Sequence, residues 1–145
     1  MESAKPTLGY WHIRAVTRGN INRYILAYAK VDYTDHRYSF ENPVEWSNDK
    51  NGGLDMDFPN LPYWIDGDFK LSESKAITWY LCDKYCPDLL GSNVTENALV
   101  DMLYQRHYDL IHNFVSLAVT SEDREAVIQK AMESAKICQR DLGGK

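Results

Sequence analysis

Phe58-Pro59-Asn60-Leu61-Pro62-Tyr63, answered a few residues on by Leu71-Ser72-Glu73-Ser74, decides how this chain folds. Two prolines bracket Asn60-Leu61 just before the apolar run Tyr63-Trp64-Ile65. Proline removes a backbone donor, and an X-Pro bond is where a cis peptide is tolerated. A segment held extended beside a strand can offer its main-chain N–H and C=O groups to a peptide, as one more strand would. Glu73-Ser74 then opens a helical pattern, where free N–H groups and a hydroxyl suit a carboxylate. The stretch reads as a clamp for a small anionic peptide.

Outward from the clamp, Tyr63-Trp64-Ile65 is a strand, Asp66-Gly67 a turn, and Phe69 to Leu71 its hairpin partner. Ala76, Ile77, Tyr80 and Leu81 predict a helix over Ser74 to Tyr85. Upstream, Thr7 to Ile13 reads as a first strand and Arg14 to Gly19 as a loop. Ile21, Tyr24, Ile25 and Tyr28 recur at helical spacing and predict a helix over Asn20 to Lys30. Tyr33 to Tyr38 is a second strand, and Glu41 to Gly53 is polar, with a lone Trp46 and room for one short helix. Helix-connected early strands pair in parallel, and the hairpin adds an antiparallel pair. The expected fold is therefore α/β: a thioredoxin-like N-terminal domain over residues 1–86, a mixed sheet with flanking helices.

Pro87 to Ser92 reads as a linker, after which residues 93–145 carry a helix-only pattern. Asn93 with Glu96 resembles a helix cap. Leu99, Leu103, Leu110 and Phe114 form a broken apolar stripe down a long helix. Ser121 caps a second, striped by Val127, Ala131, Ala135 and Cys138 and stopped by Gly143-Gly144. Two striped helices cannot enclose a core. This all-α region is expected to be a truncated, partial domain, either incomplete or completed by something else.

The chain has 145 residues, 44% of them hydrophobic, which suits a globular protein. A net charge of −5 argues against a general nucleic-acid or membrane-surface role. No apolar run approaches the roughly 20 residues that span a bilayer. The N-terminal Met1-Glu2-Ser3-Ala4-Lys5 has no signal-peptide core, so the expected compartment is the cytoplasm. Cys82, Cys86 and Cys138 make an odd number, which disfavours a disulfide framework; Cys82 and Cys86, four apart on an expected helix, read as buried thiols. His12, His36, His107 and His112 lack ligand spacing, so no metal site is expected.

A thioredoxin-like sheet invites a search for C-x-x-C after the first strand, and Tyr10-Trp11 stands there instead. Disulfide exchange is not expected. A strand-end tyrosine reads either as packing or as a hydrogen-bond donor to a thiolate, which would lower a thiol's pKa from about 8.5.

Three blocks carry a resemblance: Leu8-Gly9-Tyr10-Trp11 with Ile13-Arg14; Leu54-Asp55 and Asp57 to Tyr63 with Ile65-Asp66-Gly67; and Lys70-Leu71 with Ser74, Ala76 and Ile77. Together they resemble cytosolic glutathione S-transferases, the mu class and its helminth relatives most of all. The likeness runs to about Gly143 and is looser in the helical part. It implies that Tyr10 hydrogen-bonds the glutathione sulfur and that Trp11 lines the site. Trp46 and Lys50 would hold the glycine carboxylate end. Asn60 and Leu61 would pair with the cysteinyl backbone, with Pro62 as the family's cis-proline. Glu73 and Ser74 would bind the γ-glutamyl end. Asp109 would reach the glutathione of the neighbouring subunit, and Phe58 would insert between the partner's helices, so a homodimer is implied. Glutathione would be the cosubstrate, a hydrophobic electrophile the second substrate, and no cofactor is needed.

The sequence also departs from the family. Val16 to Asn22 is a longer path into the first helix, beside Tyr10, and the Tyr38 to Trp46 segment is short. Glu73 replaces the glutamine usual in mu enzymes, and Val119 stands where they tend to have a tyrosine. Family members run on through further helices. The expected function is glutathione transfer to soft electrophiles in detoxification. The alternative is a glutathione-transferase-like structural or binding subunit with little turnover, whose final helices are covered by other protein chains.

Overall fold

A computed structural model describes residues 4–13 and 17–120, without the side chains of 113–120, together with positions 125, 126, 129, 133 and 136. The chain divides into two compact units, Met1–Ser92 and Asn93–Lys145.

The first unit is built on a four-stranded sheet in the order β2-β1-β3-β4. β1 (Thr7–Trp11) leads through α1 (Arg18–Tyr28) to β2 (Thr34–Tyr38). β1 and β2 are parallel, with Trp11 opposite Tyr38. β3 (Tyr63–Asp66) runs antiparallel to β1, with Gly9 opposite Tyr63, and β4 (Phe69–Ser72) runs antiparallel to β3. α2 (Val44–Asn48), followed by a wide helical turn over Asp49–Gly53, lies between β2 and β3, and α3 (Ser74–Tyr85) follows β4. This is the expected thioredoxin-like mixed sheet.

Side chains alternate across a strand, so the two sheet faces carry different chemistry. Leu8 and Trp64 point to the helical face, where Ile25 and Leu26 of α1 and Ile77, Leu81, Cys82 and Cys86 close a core. Burying each large apolar side chain there contributes about 1.5–3 kcal/mol. The opposite face holds a smaller cluster, Tyr38, Leu54 and Tyr63, with Trp11, Trp46, Met56, Leu61 and Ile65 packed on it.

Several boundaries differ from expectation. β1 ends at Trp11, not Ile13, because the Ile13 N–H turns back to the Trp11 carbonyl (2.9 Å). α1 begins at Arg18, inside the expected loop. The hairpin turn falls on Gly67-Asp68 rather than Asp66-Gly67, with Gly67 at φ 61. Arg14 to Val16 lie outside the described residues.

In the second unit, α4 spans Val94–Thr120. Asn93 caps it as expected, its Oδ1 accepting the Glu96 N–H at 3.0 Å. Leu99 and Leu103 of the expected stripe are exposed, while Tyr104 and Ile111 are buried. The side chains of Phe114 and Val119 lie outside the described residues, as do Ser121, Val127, Ala131, Ala135, Cys138 and Gly143-Gly144 of the expected second helix. Among the described residues no helix is long and apolar enough to cross a membrane.

Candidate functional site

Tyr10 sits on β1 with only 6% of its surface exposed. It shares the helical face with Leu8, two residues back. Its ring lies directly on the backbone of Gly19 in the first turn of α1: a Cβ on Gly19 would stand 2.4 Å from Tyr10 Cγ. On the ring, at 5.7 Å from its centroid, is the Arg23 guanidinium. That cation is itself fixed. Arg23 Nε and Nη2 donate to Asp35 Oδ1 at 3.1 and 3.0 Å, and Nη1 donates to Asn20 Oδ1 at 3.0 Å. A forked Arg–carboxylate pair is among the strongest polar contacts available to side chains. Tyr10 is thus held in place while its hydroxyl makes no hydrogen bond to another described residue.

Trp11, on the other face, stacks on Phe40 at 4.4 Å and meets Trp46 edge-on at 6.5 Å. Trp46 comes from α2 and packs edge-on against Tyr38 at 5.3 Å. The structure therefore brings the two expected tryptophans together, although Trp46 reads in the sequence as an isolated aromatic in polar surroundings. On the neighbouring strand Tyr63 lies across Gly9 of β1, where a Cβ would stand 2.1 Å from its ring.

The Tyr38 hydroxyl lies at the centre of a polar relay that the sequence does not announce. It donates to Asp49 Oδ2 at 2.5 Å and lies 2.9 Å from the Tyr63 hydroxyl. A carboxylate only accepts, so the single Tyr38 proton goes to Asp49 and Tyr63 donates to Tyr38. Burial first, then the hydrogen bond donated to Asp49, push the Tyr38 hydroxyl far above its ordinary value, so it stays a donor. Lys50, next in sequence, is exposed and lines a cavity of about 640 Å³ with Asp55, Asp57, Pro59, Asp68 and Lys70. None of the other expected site residues lines that cavity.

The two halves of the Phe58–Ser74 motif meet in the structure. The Leu61–Pro62 peptide is cis, as expected. Asn60 Nδ2 donates to Glu73 Oε1 at 3.1 Å, joining the two halves of the motif. The Leu61 N–H, expected to pair with a peptide ligand, donates instead to Asn60 Oδ1 at 2.9 Å. Phe58 (φ 51) and Glu73 (φ 71) both adopt the left-handed region, which costs on the order of 1–3 kcal/mol for a non-glycine residue and concentrates at functional sites. Ser72 Oγ donates to the Phe58 carbonyl at 2.8 Å and holds the first of them. Phe58 is 85% exposed, the outward aromatic that was expected.

Ser74 is the first residue of α3 and is buried. Asn22 fixes this helix end from α1: its Nδ2 donates to Thr78 Oγ1 at 3.0 Å and to the Ser74 carbonyl at 3.4 Å. Asp109 is exposed on α4, in the second unit, and accepts from Gln105 Nε2 at 3.1 Å. Cys82 and Cys86 are buried free thiols. Burial pushes Cys82 up to about 12, so it is no nucleophile near neutrality.

The sequence reading missed Tyr38, Tyr63 and Asp49, and it missed Gly19 and Arg23 as the supports of Tyr10. One signal was present: Trp11 and Tyr38 end adjacent parallel strands, so register alone puts them on one face.

The model of the glutathione S-transferase N-terminal domain matches residues 6–83. A glutathione S-transferase of the mite Tyrophagus putrescentiae is 43% identical over 111 residues, covering 74% of this chain and 48% of the relative. A class-mu 26 kDa glutathione S-transferase of Schistosoma japonicum is 38% identical over 122 residues, covering 84% of this chain and 53% of the relative. The crystal structure of the glutathione S-transferase Blo t 8 superposes with a TM-score of 0.73 at 29% identity, over 95% of this chain and 61% of that one. The chain spans about half the length of the curated relatives it matches.

Proposed function

The chain belongs to the glutathione S-transferase family, and from that premise we propose that it conjugates glutathione to soft hydrophobic electrophiles. Glutathione is the cosubstrate and no cofactor is required. The observation that carries this reading is Tyr10, buried at the end of β1, with its ring set on Gly19 and under Arg23. A rigid hydroxyl donor can stabilise a thiolate and lower its pKa from about 8.5, so that more nucleophile is present near pH 7.

In this reading residues 1–86 are the glutathione-binding domain, 87–92 the linker and 93–145 a helical region. Tyr10 donates to the glutathione sulfur, and Trp11 walls the site. Trp46 and Lys50 take the glycine carboxylate. The main chain at Asn60-Leu61 pairs with the cysteinyl unit. The Glu73 carboxylate accepts from the γ-glutamyl ammonium, while Ser74 and the α3 N-terminus take its carboxylate. Phe58 inserts into a second copy, whose Asp109 reaches across to the same glutathione. The thiolate attacks an electrophilic carbon, a C–S bond forms, and the leaving group departs with its electron pair. The protein contributes position and a preorganised donor. The setting is cytoplasmic detoxification by a homodimer.

The test is the pH profile of conjugation with a chloronitrobenzene substrate. Tyr10→Phe is expected to lower kcat/KM on the order of 10²-fold near pH 7 and to move the apparent thiol pKa up toward about 8.5. Parent protein that binds glutathione only as the neutral thiol at pH 7, with no rate difference in Tyr10→Phe, refutes the reading. A second reading, a binding subunit with little turnover docked to other chains, draws on Leu99, Met102 and Leu103, all exposed on α4. Purified chain that is dimeric and active alone removes it.

A further inference from the structure

The segment from Val44 to Gly53 has little of its own to hold it. Neither α2 nor the turn after it contains a fully buried residue. The turn is broken by non-helical backbone at Asn51 and Gly52, the latter at φ 135. Yet this segment carries Trp46 and Lys50, side chains whose value lies in where they stand.

Two side chains of the sheet reach Trp46: Trp11, edge-on at 6.5 Å, and Tyr38, which alone of the two also reaches Asp49. Tyr38 is fully buried at the end of β2. The edge of its ring meets Trp46 at 5.3 Å, and its hydroxyl donates to Asp49 at 2.5 Å. The ring thus holds Trp46 within α2, and the hydroxyl holds Asp49, the neighbour of Lys50, at the start of the turn. Tyr63 donates into the same hydroxyl, which fixes the direction of its proton. Two outer ties exist. His36 Nε2 lies 3.2 Å from Glu45 Oε1, and Lys70 Nζ donates to the Leu54 and Asp55 carbonyls, both at 2.9 Å. The first joins side chains at a partly exposed edge, and the second grips the chain after the turn. Neither touches Trp46 or Asp49.

We propose that Tyr38 is a positioning residue for recognition of the anionic glycyl end of glutathione, acting through Trp46 and through Asp49 beside Lys50. The proposal rests on the glutathione-binding reading above. Removing the hydroxyl leaves the Asp49 carboxylate and the Tyr63 hydroxyl without their shared partner. The segment then loses its polar anchor while the Tyr38 ring still fills its place. The effect falls on one end of the ligand, because Tyr10, Asn60, Glu73 and Ser74 stand on other elements.

The experiment measures dissociation constants for glutathione and for its glycyl monoethyl ester, which keeps the tripeptide, adds an ethyl group and loses the glycyl charge. The proteins are the parent chain, Tyr38→Phe, Asp49→Asn, Trp46→Ala and Lys50→Ala, each checked for an intact thermal transition. The parent is expected to prefer the free acid. Tyr38→Phe and Asp49→Asn are each expected to weaken glutathione about tenfold, about 1.4 kcal/mol, and to leave the ester unchanged, so that the preference collapses. Equal weakening of both ligands means general loosening of the fold and overturns the proposal. An unchanged preference in Tyr38→Phe and Asp49→Asn, with collapse in Trp46→Ala and Lys50→Ala, overturns the proposal alone. A parent that binds glutathione without preferring it, or that keeps its preference in Trp46→Ala and Lys50→Ala, overturns the reading of that end and the proposal with it.

Discussion

Gly19→Ala tests whether the backbone under Tyr10 sets its activity. The added Cβ would stand 2.4 Å from Tyr10 Cδ1 and Cγ. Carbon atoms rest at about 3.5–4.0 Å, so ring and helix must part by about 1 Å. The fold can absorb this. Overpacking costs about 1–3 kcal/mol, while alanine gains about 1 kcal/mol over glycine inside a helix. Chemistry is less forgiving, since a misplacement of about 1 Å can cost on the order of 10²-fold in rate. The expected result is a small change in Tm with a loss of 10- to 100-fold, roughly, in kcat/KM for conjugation. The assay is a double-mutant cycle with Tyr10→Phe. If Gly19 acts through the hydroxyl, Gly19→Ala adds little once the hydroxyl is gone. A single variant within about twofold of the parent, or full additivity with Tyr10→Phe, would refute the reasoning.

Three further outcomes follow from the same packing. Asn22→Asp turns a buried donor into an acceptor against the Ser74 carbonyl and Thr78 Oγ1; it should destabilise by about 3 kcal/mol or more and recover in part as pH falls and the carboxyl protonates, read by denaturant melts at pH 4 and 7. Burial holds Cys82 at about 12 in the fold, above its ordinary value of 9.0. The unfolded thiol therefore ionises first, and the stability this confers is full below pH about 9 and lost as pH rises toward 12; Cys82→Ala should flatten the alkaline slope of ΔG by up to about 1.4 kcal/mol per pH unit. Asp35→Asn weakens the fork that holds Arg23 on the Tyr10 ring, and it should raise the apparent thiol pKa in the conjugation profile; an unmoved profile would show that Arg23 has no part in setting it.

What was legible in the sequence is what local periodicity controls. The order of strands and helices followed from alternation at Tyr63-Trp64-Ile65 and from helical spacing at Ile77 and Leu81. The cis Leu61–Pro62 bond and the exposed Phe58 were expected from motif and resemblance and are found. Strand ends were less legible. Ile13 continues the apolar pattern, yet its N–H is spent on a turn to Trp11.

The sequence by itself determined the mixed sheet and the place of Tyr10 on its first strand, because each is written in neighbouring residues. Tertiary structure alone decided what holds them. Tyr38 meets Asp49 across 11 positions and Tyr63 across 25, and Asn22 meets Thr78 across 56. Gly19 matters to Tyr10 only because α1 folds back over β1. No pattern of period 2 or 3.6 encodes such contacts. They arise when the sheet sets strands side by side, and a buried hydroxyl or amide must then find its partner among whatever residues that register supplies.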